Sequence, residues 1–127
     1  MKKLICLLFL CFAELASAAN WAVLGHNDNS NDYYDKDSVQ RESDGTSMIW
    51  LMSDFFKAGN YEGKTYRSVM FQIKYICPRR AYTFTNVIYY SGKQGAGKPL
   101  STLSPSEKWG AVPPDTLVDW GYRAACN

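Results

Sequence analysis

The chain of 127 residues is poor in the residue types that carry most catalytic and metal chemistry. It has one histidine, His26, and four cysteines, none of them in a Cys-x-x-Cys spacing. A single histidine with so few cysteines cannot complete an ordinary zinc site, and the scattered aspartates offer no acid-base pair. No nucleophile and base stand in a recognisable catalytic pattern either. The sequence therefore predicts a protein that is not an enzyme and that holds no cofactor and no metal.

A strong excess of charge is also missing. Fourteen basic and twelve acidic side chains give a formal net charge of +2, which does not call for a nucleic-acid partner. Long apolar runs are missing as well, apart from Leu4 to Ala13 near the amino terminus. A transmembrane helix needs about twenty apolar residues, so no membrane span is predicted.

The amino terminus has the three parts of an export signal. Lys2 and Lys3 form a positive region, the apolar run follows, and Ala16-Ser17-Ala18 is a small-x-small cleavage site. We therefore expect residues 1–18 to be a signal peptide and residues 19–127 to be one domain. Cys11 follows Leu10 within the apolar core and lacks the small residue that precedes a lipidated cysteine. The expected location is the periplasm or the medium, without a lipid anchor.

Removal of the signal leaves two cysteines, Cys77 and Cys126. Two cysteines in an exported chain normally pair, because the compartment is oxidising. A disulfide also helps to stabilise a small domain, because the hydrophobic core of such a domain is small. We predict a structural disulfide between them.

Hydrophobic periodicity predicts an antiparallel sheet. Between Tyr66 and Cys77 apolar residues alternate with polar ones, and Ala81 to Tyr90 forms a second long strand after the turn at Pro78-Arg79-Arg80. Thr46 to Phe55 is apolar on both faces and should be a central strand, followed by a polar connection over residues 57–64.

One helix is expected at the carboxyl end. Residues Asp115 to Ala125 place an apolar stripe at helical spacing, made of Leu117, Trp120, Gly121 and Ala124. The predicted fold class is α+β, with an antiparallel sheet of about five or six strands, one C-terminal helix packed on it and one disulfide.

An ordered set of short motifs runs along the mature chain: Asn20-Trp21-Ala22-Val23-Leu24-Gly25-His26-Asn27-Asp28-Asn29, Tyr33-Tyr34-Asp35, Ser38, Tyr66-Arg67-Ser68, Cys77, Tyr89-Tyr90-Ser91-Gly92, Trp109, Val112-Pro113 and Ala124-Ala125-Cys126. In this order the chain resembles the surface-adhesin protein E family of Gram-negative bacteria. The resemblance implies a cell-envelope binding protein with that family's fold, and host matrix or plasma proteins as candidate partners.

Two loops resemble ligand sites but lack a required residue. Gly92 to Lys98 has the spacing of a phosphate-binding loop, yet Pro99 replaces the Ser or Thr that binds magnesium. A flexible loop between strands is favoured there. Asp28 to Asp32 alternates oxygen ligands as a calcium loop does, but Tyr33 stands where glycine is needed. An Asx-rich turn is the favoured interpretation, with an irregular calcium site as the alternative.

Partner-binding residues are expected around the long hairpin. A mixed basic and aromatic surface suits a protein partner, and the predicted members are Arg67, Lys74, Arg79, Arg80 and Tyr82. A homodimer is a candidate assembly. Two alternative functions stay open: a carrier of haem or another small ligand that uses His26 with tyrosines, and a periplasmic enzyme of unknown class.

Overall fold

The computed structural model describes residues 19–105 and 108–127, so the expected signal peptide, with Cys6 and Cys11, lies outside the described residues. The described part contains eight strands and one α-helix: β1 (Trp21–His26), β2 (Ser30–Asp35), β3 (Gln40–Arg41), β4 (Thr46–Tyr61), β5 (Lys64–Ile76), β6 (Ala81–Tyr90), β7 (Pro99–Leu103), β8 (Gly110–Ala111) and α1 (Leu117–Cys126). None of its helices is long and apolar enough to span a bilayer.

The strands form one antiparallel sheet in the order β1-β2-β4-β5-β6-β7, with β3 beside β4 and β8 beside β6. The predicted fold class is confirmed. The six strands of the main path match the predicted number, and the two-residue strands β3 and β8 bring the total to eight in the described residues. The prediction that the strand starting at Thr46 is central is also confirmed, because β4 lies between β2 and β5.

The long hairpin of β5 and β6 follows from the period-two pattern. Val69, Ile73 and Tyr75 are almost fully buried on one face, as the alternation predicts. The turn between the strands is a short 3-10 helix over Cys77–Arg79, where Pro78 begins the turn. Arg80 closes it in the left-handed region with a φ of 48°.

Strand β4 is longer than predicted. We expected it to end at Phe55 and a polar connection to follow, but it continues to Tyr61 and pairs with β5 after a register shift between Asp54 and Gly59. The turn to β5 uses Glu62 and Gly63, both with positive φ. Positive φ at both central residues matches the twist of a tight hairpin, which keeps the polar segment in the sheet.

Helix α1 begins later than predicted. Asp115 has a φ of 57°, and the Thr116 hydroxyl accepts a hydrogen bond from the Asp119 amide, so Thr116 is the N-cap and Leu117 the first helical residue. The chain then stays helical to Cys126. The prediction that Asp115 starts the helix is wrong, because its left-handed backbone belongs to the preceding turn.

The buried face of α1 is rotated from the predicted stripe. Val118, Gly121 and Ala125 lie deepest against the sheet, while Leu117 and Ala124 pack at the edge of the core. Trp120 is only half-buried and covers Gly25, where an added Cβ would lie 2.6 Å from the indole Cζ3. The rotation follows from close approach: a Cβ on Gly121 would lie 2.6 Å from the Tyr75 hydroxyl oxygen.

The predicted disulfide is confirmed. Cys77 and Cys126 are bonded, with their Cα atoms 5.6 Å apart and a sequence separation of 49 positions. The Tyr122 hydroxyl donates a hydrogen bond to the Cys77 carbonyl at 2.7 Å. Covalent and polar contacts thus fix the last turn of α1 to the end of β5.

Candidate partner-binding face of the sheet

The sheet has two unlike faces. Helix α1 covers one of them, over the core that contains Ile49, Leu51 and Ile73. The opposite face carries a row of side chains that the strand register places side by side, and we call it the open face; the row is Val23, Tyr33, Met52, Met70, Ile88 and Thr102. Five of these six are apolar or aromatic. Helix α1 does not cover them, but a short 3-10 helix at Lys93–Gly95 lies over Met52 and Met70, and Met52 is buried.

One end of the open face holds a cleft of about 270 Å³. Its lining comes from the amino-terminal segment and from five strands: Ala19, Trp21, Asp35, Trp50, Met70, Ile88 and Tyr90. Neighbouring strands lie about 4.8 Å apart, so β1 and β6 would be about 19 Å apart in a flat sheet. The side chains of Trp21 and Tyr90 reach into this cleft from the two sides of the three strands that lie between β1 and β6.

Asp35 is the one charged residue of this cleft. Its Oδ1 accepts hydrogen bonds from the amides of Asn20 at 3.1 Å and Asp37 at 3.0 Å. Both bonds that the Asp35 carboxylate accepts from described residues go to this oxygen, and Asp35 takes part in neither ion pair found there. These bonds hold the start of the mature chain and the turn after β2 to the Asp35 side chain.

The glycine-rich loop after β6 covers the neighbouring part of the open face. The Gln94 amide donates to Asp54 at 3.1 Å, and the Gly95 amide donates to the Ser68 hydroxyl at 2.9 Å. Ser68 in turn donates to the Gly92 carbonyl at 2.7 Å. The loop joins two strands as predicted, but it is pinned to the sheet and is not a free loop. The amides of Gly92, Gln94, Gly95 and Ala96 donate to other groups of the protein and are therefore not available to a phosphate.

The predicted partner-binding residues do not come together in one patch. Arg67 and Lys74 both belong to β5, seven residues and thus about 23 Å apart. Lys74 lies on the open face beside Met48 and Thr83 in the register. Tyr82 packs against Phe84 at the edge of the helix-covered core.

The two arginines of the hairpin turn have different surroundings. Arg79 is exposed. Arg80 donates to Oδ1 of Asp119 at 3.1 Å and lies over the Tyr122 ring, 4.6 Å from its centroid. Asp119 is 1% exposed and also accepts a hydrogen bond from Arg123 at 3.1 Å. Arg80 therefore stabilises α1, and of this pair Arg79 is the one free to meet a partner.

The same contacts change the acidity of Asp119. A hydrogen bond from the Asp115 amide lowers the pKa of its carboxyl, and the positive charges of Arg123 and Arg80 lower it further. Burial of the carboxyl raises its pKa, but this effect is smaller than the combined lowering by the hydrogen bonds and the two arginines. Asp119 is thus an ionised, hydrogen-bonded helix residue next to the N-cap.

Several tyrosines pack on one another at the far end of the β4–β5 hairpin. Tyr61 stacks on Tyr89 with ring centroids 4.5 Å apart, and Tyr66 meets both Tyr89 and Phe55 edge-on. Burial raises the pKa of Tyr89, with smaller effects of Tyr66 and Tyr61. These rings stabilise the end of the hairpin, so the surplus of tyrosine is in part structural.

The predicted Asx-rich turn is confirmed only in its first part, because Ser30, Asn31 and Asp32 already belong to β2. The Asn27 side-chain oxygen accepts hydrogen bonds from the amides of Asn29 at 2.7 Å and Ser30 at 2.9 Å. Asp32 points into the protein and accepts from the hydroxyls of Ser30 and Ser53. In the described part of the chain no group of three or more His, Cys, Asp or Glu residues is arranged to hold a metal ion. His26 is exposed at the end of β1.

Sequence reasoning missed the cleft. The alternation in β4 showed apolar residues on both faces, and Trp50 and Met52 were the signal for a second apolar surface. Nothing local indicated that Trp21 and Tyr90 would line one cleft with Trp50, because β1, β4 and β6 come together only in the assembled sheet. Trp21, Trp50, Met70 and Ile88 are therefore the site residues that the structure adds.

A small, disulfide-bonded α+β protein with one face of its sheet open is the class that this fold defines. The family model for surface-adhesin protein E matches residues 21–127, and the chain belongs to that family. A search of curated proteins finds no match.

Solved structures of Haemophilus influenzae protein E share the fold. One aligns with a TM-score of 0.63 at 18% sequence identity, over 86% of this chain and 85% of that one. A second, from a non-typeable strain, aligns with a TM-score of 0.57 at 20% identity, over 85% of this chain and 74% of that one. At such identities the likeness extends to the fold, and not to individual site residues.

Proposed function

We propose that the mature chain is an exported, non-enzymatic binding protein that contacts a protein partner through the open face of its sheet. The observation that supports this most is the cleft lined by Trp21, Trp50, Met70, Ile88 and Tyr90 on the side that α1 leaves uncovered. Aromatic and methionine side chains are enriched in protein interfaces, and tryptophan is prominent among the residues that dominate binding energy. Membership of the surface-adhesin protein E family supports a protein partner, and matrix and plasma proteins are the first candidates.

The test uses immobilised fractions of serum and extracellular-matrix proteins and compares two tryptophan variants. Trp50→Ser removes an indole from the open face, whereas Trp109→Ser removes one that is 43% exposed and lies outside the cleft. We expect Trp50→Ser to weaken binding by tenfold or more, while Trp109→Ser binds as the unchanged protein does. Circular dichroism checks that both variants are folded. Equal binding by the two variants would place the interface elsewhere.

The basic turn is a second interface to be compared in the same assay. Arg79→Glu reverses an exposed charge without touching the Asp119 contacts, and Lys57→Glu is the control at another exposed position. Arg80 is left unchanged because its substitution would disturb α1. Weaker binding by Arg79→Glu alone would assign the turn to the interface, and equal binding would exclude it.

Export rests on the signal-like amino terminus. We infer that cleavage follows Ala18 or Ala19 and that the released chain carries no lipid. Intact mass measurement of the exported protein tests this directly, because an acylated or uncleaved form would have a different mass. Light scattering of the same sample decides between a monomer and a homodimer.

A further inference from the structure

The segment in front of β1 is tied to Asp35 and to the residue that follows it. Oδ1 of Asp35 accepts a hydrogen bond from the Asn20 amide at 3.1 Å, and the Lys36 amide donates to the Asn20 carbonyl at 3.0 Å. The next residue, Trp21, stands opposite Asp35 in the register of β1 and β2. Asn20 itself is exposed and precedes the strand. Polar contacts, rather than burial, therefore fix the start of the mature chain.

The charge of Asp35 is not paired with any described side chain. Asp35 is the one charged residue that lines the cleft, and it takes part in neither ion pair of the described residues. Its neighbour Lys36 lines a different cleft together with Tyr34 and Arg41. Asp37 adds a second negative charge nearby in sequence. A positive group beside Asp35 would therefore be attracted to it.

Signal cleavage creates such a group at this place. Hydrolysis of the bond after Ala18 or Ala19 adds one water molecule, which leaves a carboxylate on the signal and an ammonium on the mature chain. Cleavage after Ala19 converts the nitrogen that already donates to Asp35 into an ammonium group. Cleavage after Ala18 places the ammonium on Ala19, which lines the cleft together with Asp35. We propose that the mature α-ammonium group forms an ion pair with Asp35 and thereby anchors β1 to β2.

The ion pair makes the mature terminus a part of the fold. A hydrogen bond from a charged donor is roughly twice as strong as one between neutral groups, so cleavage strengthens a contact that the chain already makes. Trp21, which follows directly, is thereby held at the side of the cleft. This inference rests on the export and cleavage proposed above. It does not depend on which partner the open face binds.

The first measurement is the titration of the terminus in the exported chain, whose first residue is identified by intact mass. An α-amino group ordinarily has a pKa of about 8, and a neighbouring carboxylate raises that pKa. Nuclear magnetic resonance of the carbon signals of the first residue gives the midpoint. We expect it to lie about half a pH unit or more above the midpoint in Asp35→Asn, which keeps the Oδ1 acceptor but loses the charge. Asp37→Asn removes a charge outside the cleft and should change the midpoint less.

The second measurement compares melting temperatures with and without two added residues, Gly-Ser, in front of the mature terminus. The addition displaces the ammonium but keeps an amide that can donate to Asp35. Because the pair is exposed, the mature chain should melt only about 1–4 °C higher than the extended chain at pH 6. The difference should disappear in the Asp35→Asn background, since the two changes are coupled.

The stability difference should also depend on pH. Pairing raises the pKa of the ammonium in the folded state above its unfolded value of about 8. The stabilisation is thus fully present below that value and is lost as the pH rises through the folded-state pKa. A difference that persists unchanged in alkali would contradict the ion pair.

The outcomes separate this inference from the proposals on which it rests. The ion pair would be overturned alone if the terminus titrates at the same pH with and without the Asp35 charge, or if Gly-Ser costs the same in both backgrounds. Neither result would bear on binding by the open face. An exported chain that keeps residues 1–18 would overturn the cleavage and the ion pair together.

Discussion

Arg80 and Asp119 are bound to each other across the hairpin turn and the first turn of α1, with 3.1 Å between the guanidinium nitrogen and Oδ1. The carboxylate is almost fully buried, whereas the arginine side chain is 54% exposed. A residue that looks like part of a surface charge patch is therefore a structural residue. Removing it would leave a buried charge with fewer partners, which is more costly than losing an exposed ion pair.

We expect Arg80→Ala to lower the melting temperature by several degrees, because Asp119 then keeps Arg123 and the Asp115 amide as partners but loses its contact to the hairpin turn. Arg79→Ala is the matched control, since the neighbouring side chain is exposed and makes no ion pair among the described residues. Thermal unfolding followed by circular dichroism measures both. Equal melting temperatures of the two variants would show that the Arg80 contact contributes no stability.

Asp119 should make stability depend on pH in the acid range. Its pKa in the folded protein is lowered from the usual 3.8, so its ionised form stabilises the fold above that value. The contribution is lost as the pH falls below about 4 and through the folded-state pKa. The difference in unfolding free energy between the unchanged protein and Asp119→Asn should thus be large at pH 7 and shrink in acid. A difference that stays constant down to pH 2 would contradict this.

Gly121 should not tolerate a methyl group. Its added Cβ would lie 2.6 Å from the Tyr75 hydroxyl and 2.8 Å from Leu51 Cδ1. Overpacking of this kind costs about 1–3 kcal/mol, which exceeds the gain of about 1 kcal/mol in helix propensity. Gly121→Ala should therefore lower the unfolding free energy measured in urea.

The same substitution in a Tyr75→Phe background is the control for that prediction. Tyr75→Phe removes the nearer clashing atom, together with a hydrogen bond to the Val118 carbonyl. Adding the alanine should cost less in this background than in the unchanged protein, because the two positions are coupled. If Gly121→Ala costs the same free energy of unfolding in both backgrounds, the Tyr75 hydroxyl does not oppose the added methyl group.

Reduction of the Cys77–Cys126 bond should destabilise the domain substantially. For cysteines 49 positions apart, the chain-entropy model assigns the bond about 4 kcal/mol. That is a large share of the stability of a small domain. Urea unfolding with and without reductant measures the loss, and mass spectrometry of the unreduced exported chain should find no free thiols. Two free thiols would refute the bond in the native protein.

Local pattern was sufficient for much of the fold. The alternation from Tyr66 to Cys77 predicts which residues of β5 are buried, since side chains of a strand point to opposite faces in turn. The two remaining cysteines predict their own pairing, and apolar residues on both faces of β4 predict its central place. Each of these inferences depends on residues close in sequence or on a single unambiguous pair.

Tertiary structure decided the features that depend on distant residues. The face that α1 buries is set by Gly121 meeting Tyr75 and Leu51, and not by the apolar stripe alone. The role of Arg80 is set by Asp119, 39 residues further along the chain. The cleft exists because strand pairing brings residues of β1, β2, β4, β5 and β6 to one face of the sheet. The sequence determines which side chains are available. The contacts that give each side chain its role form only when distant strands and the helix pack together.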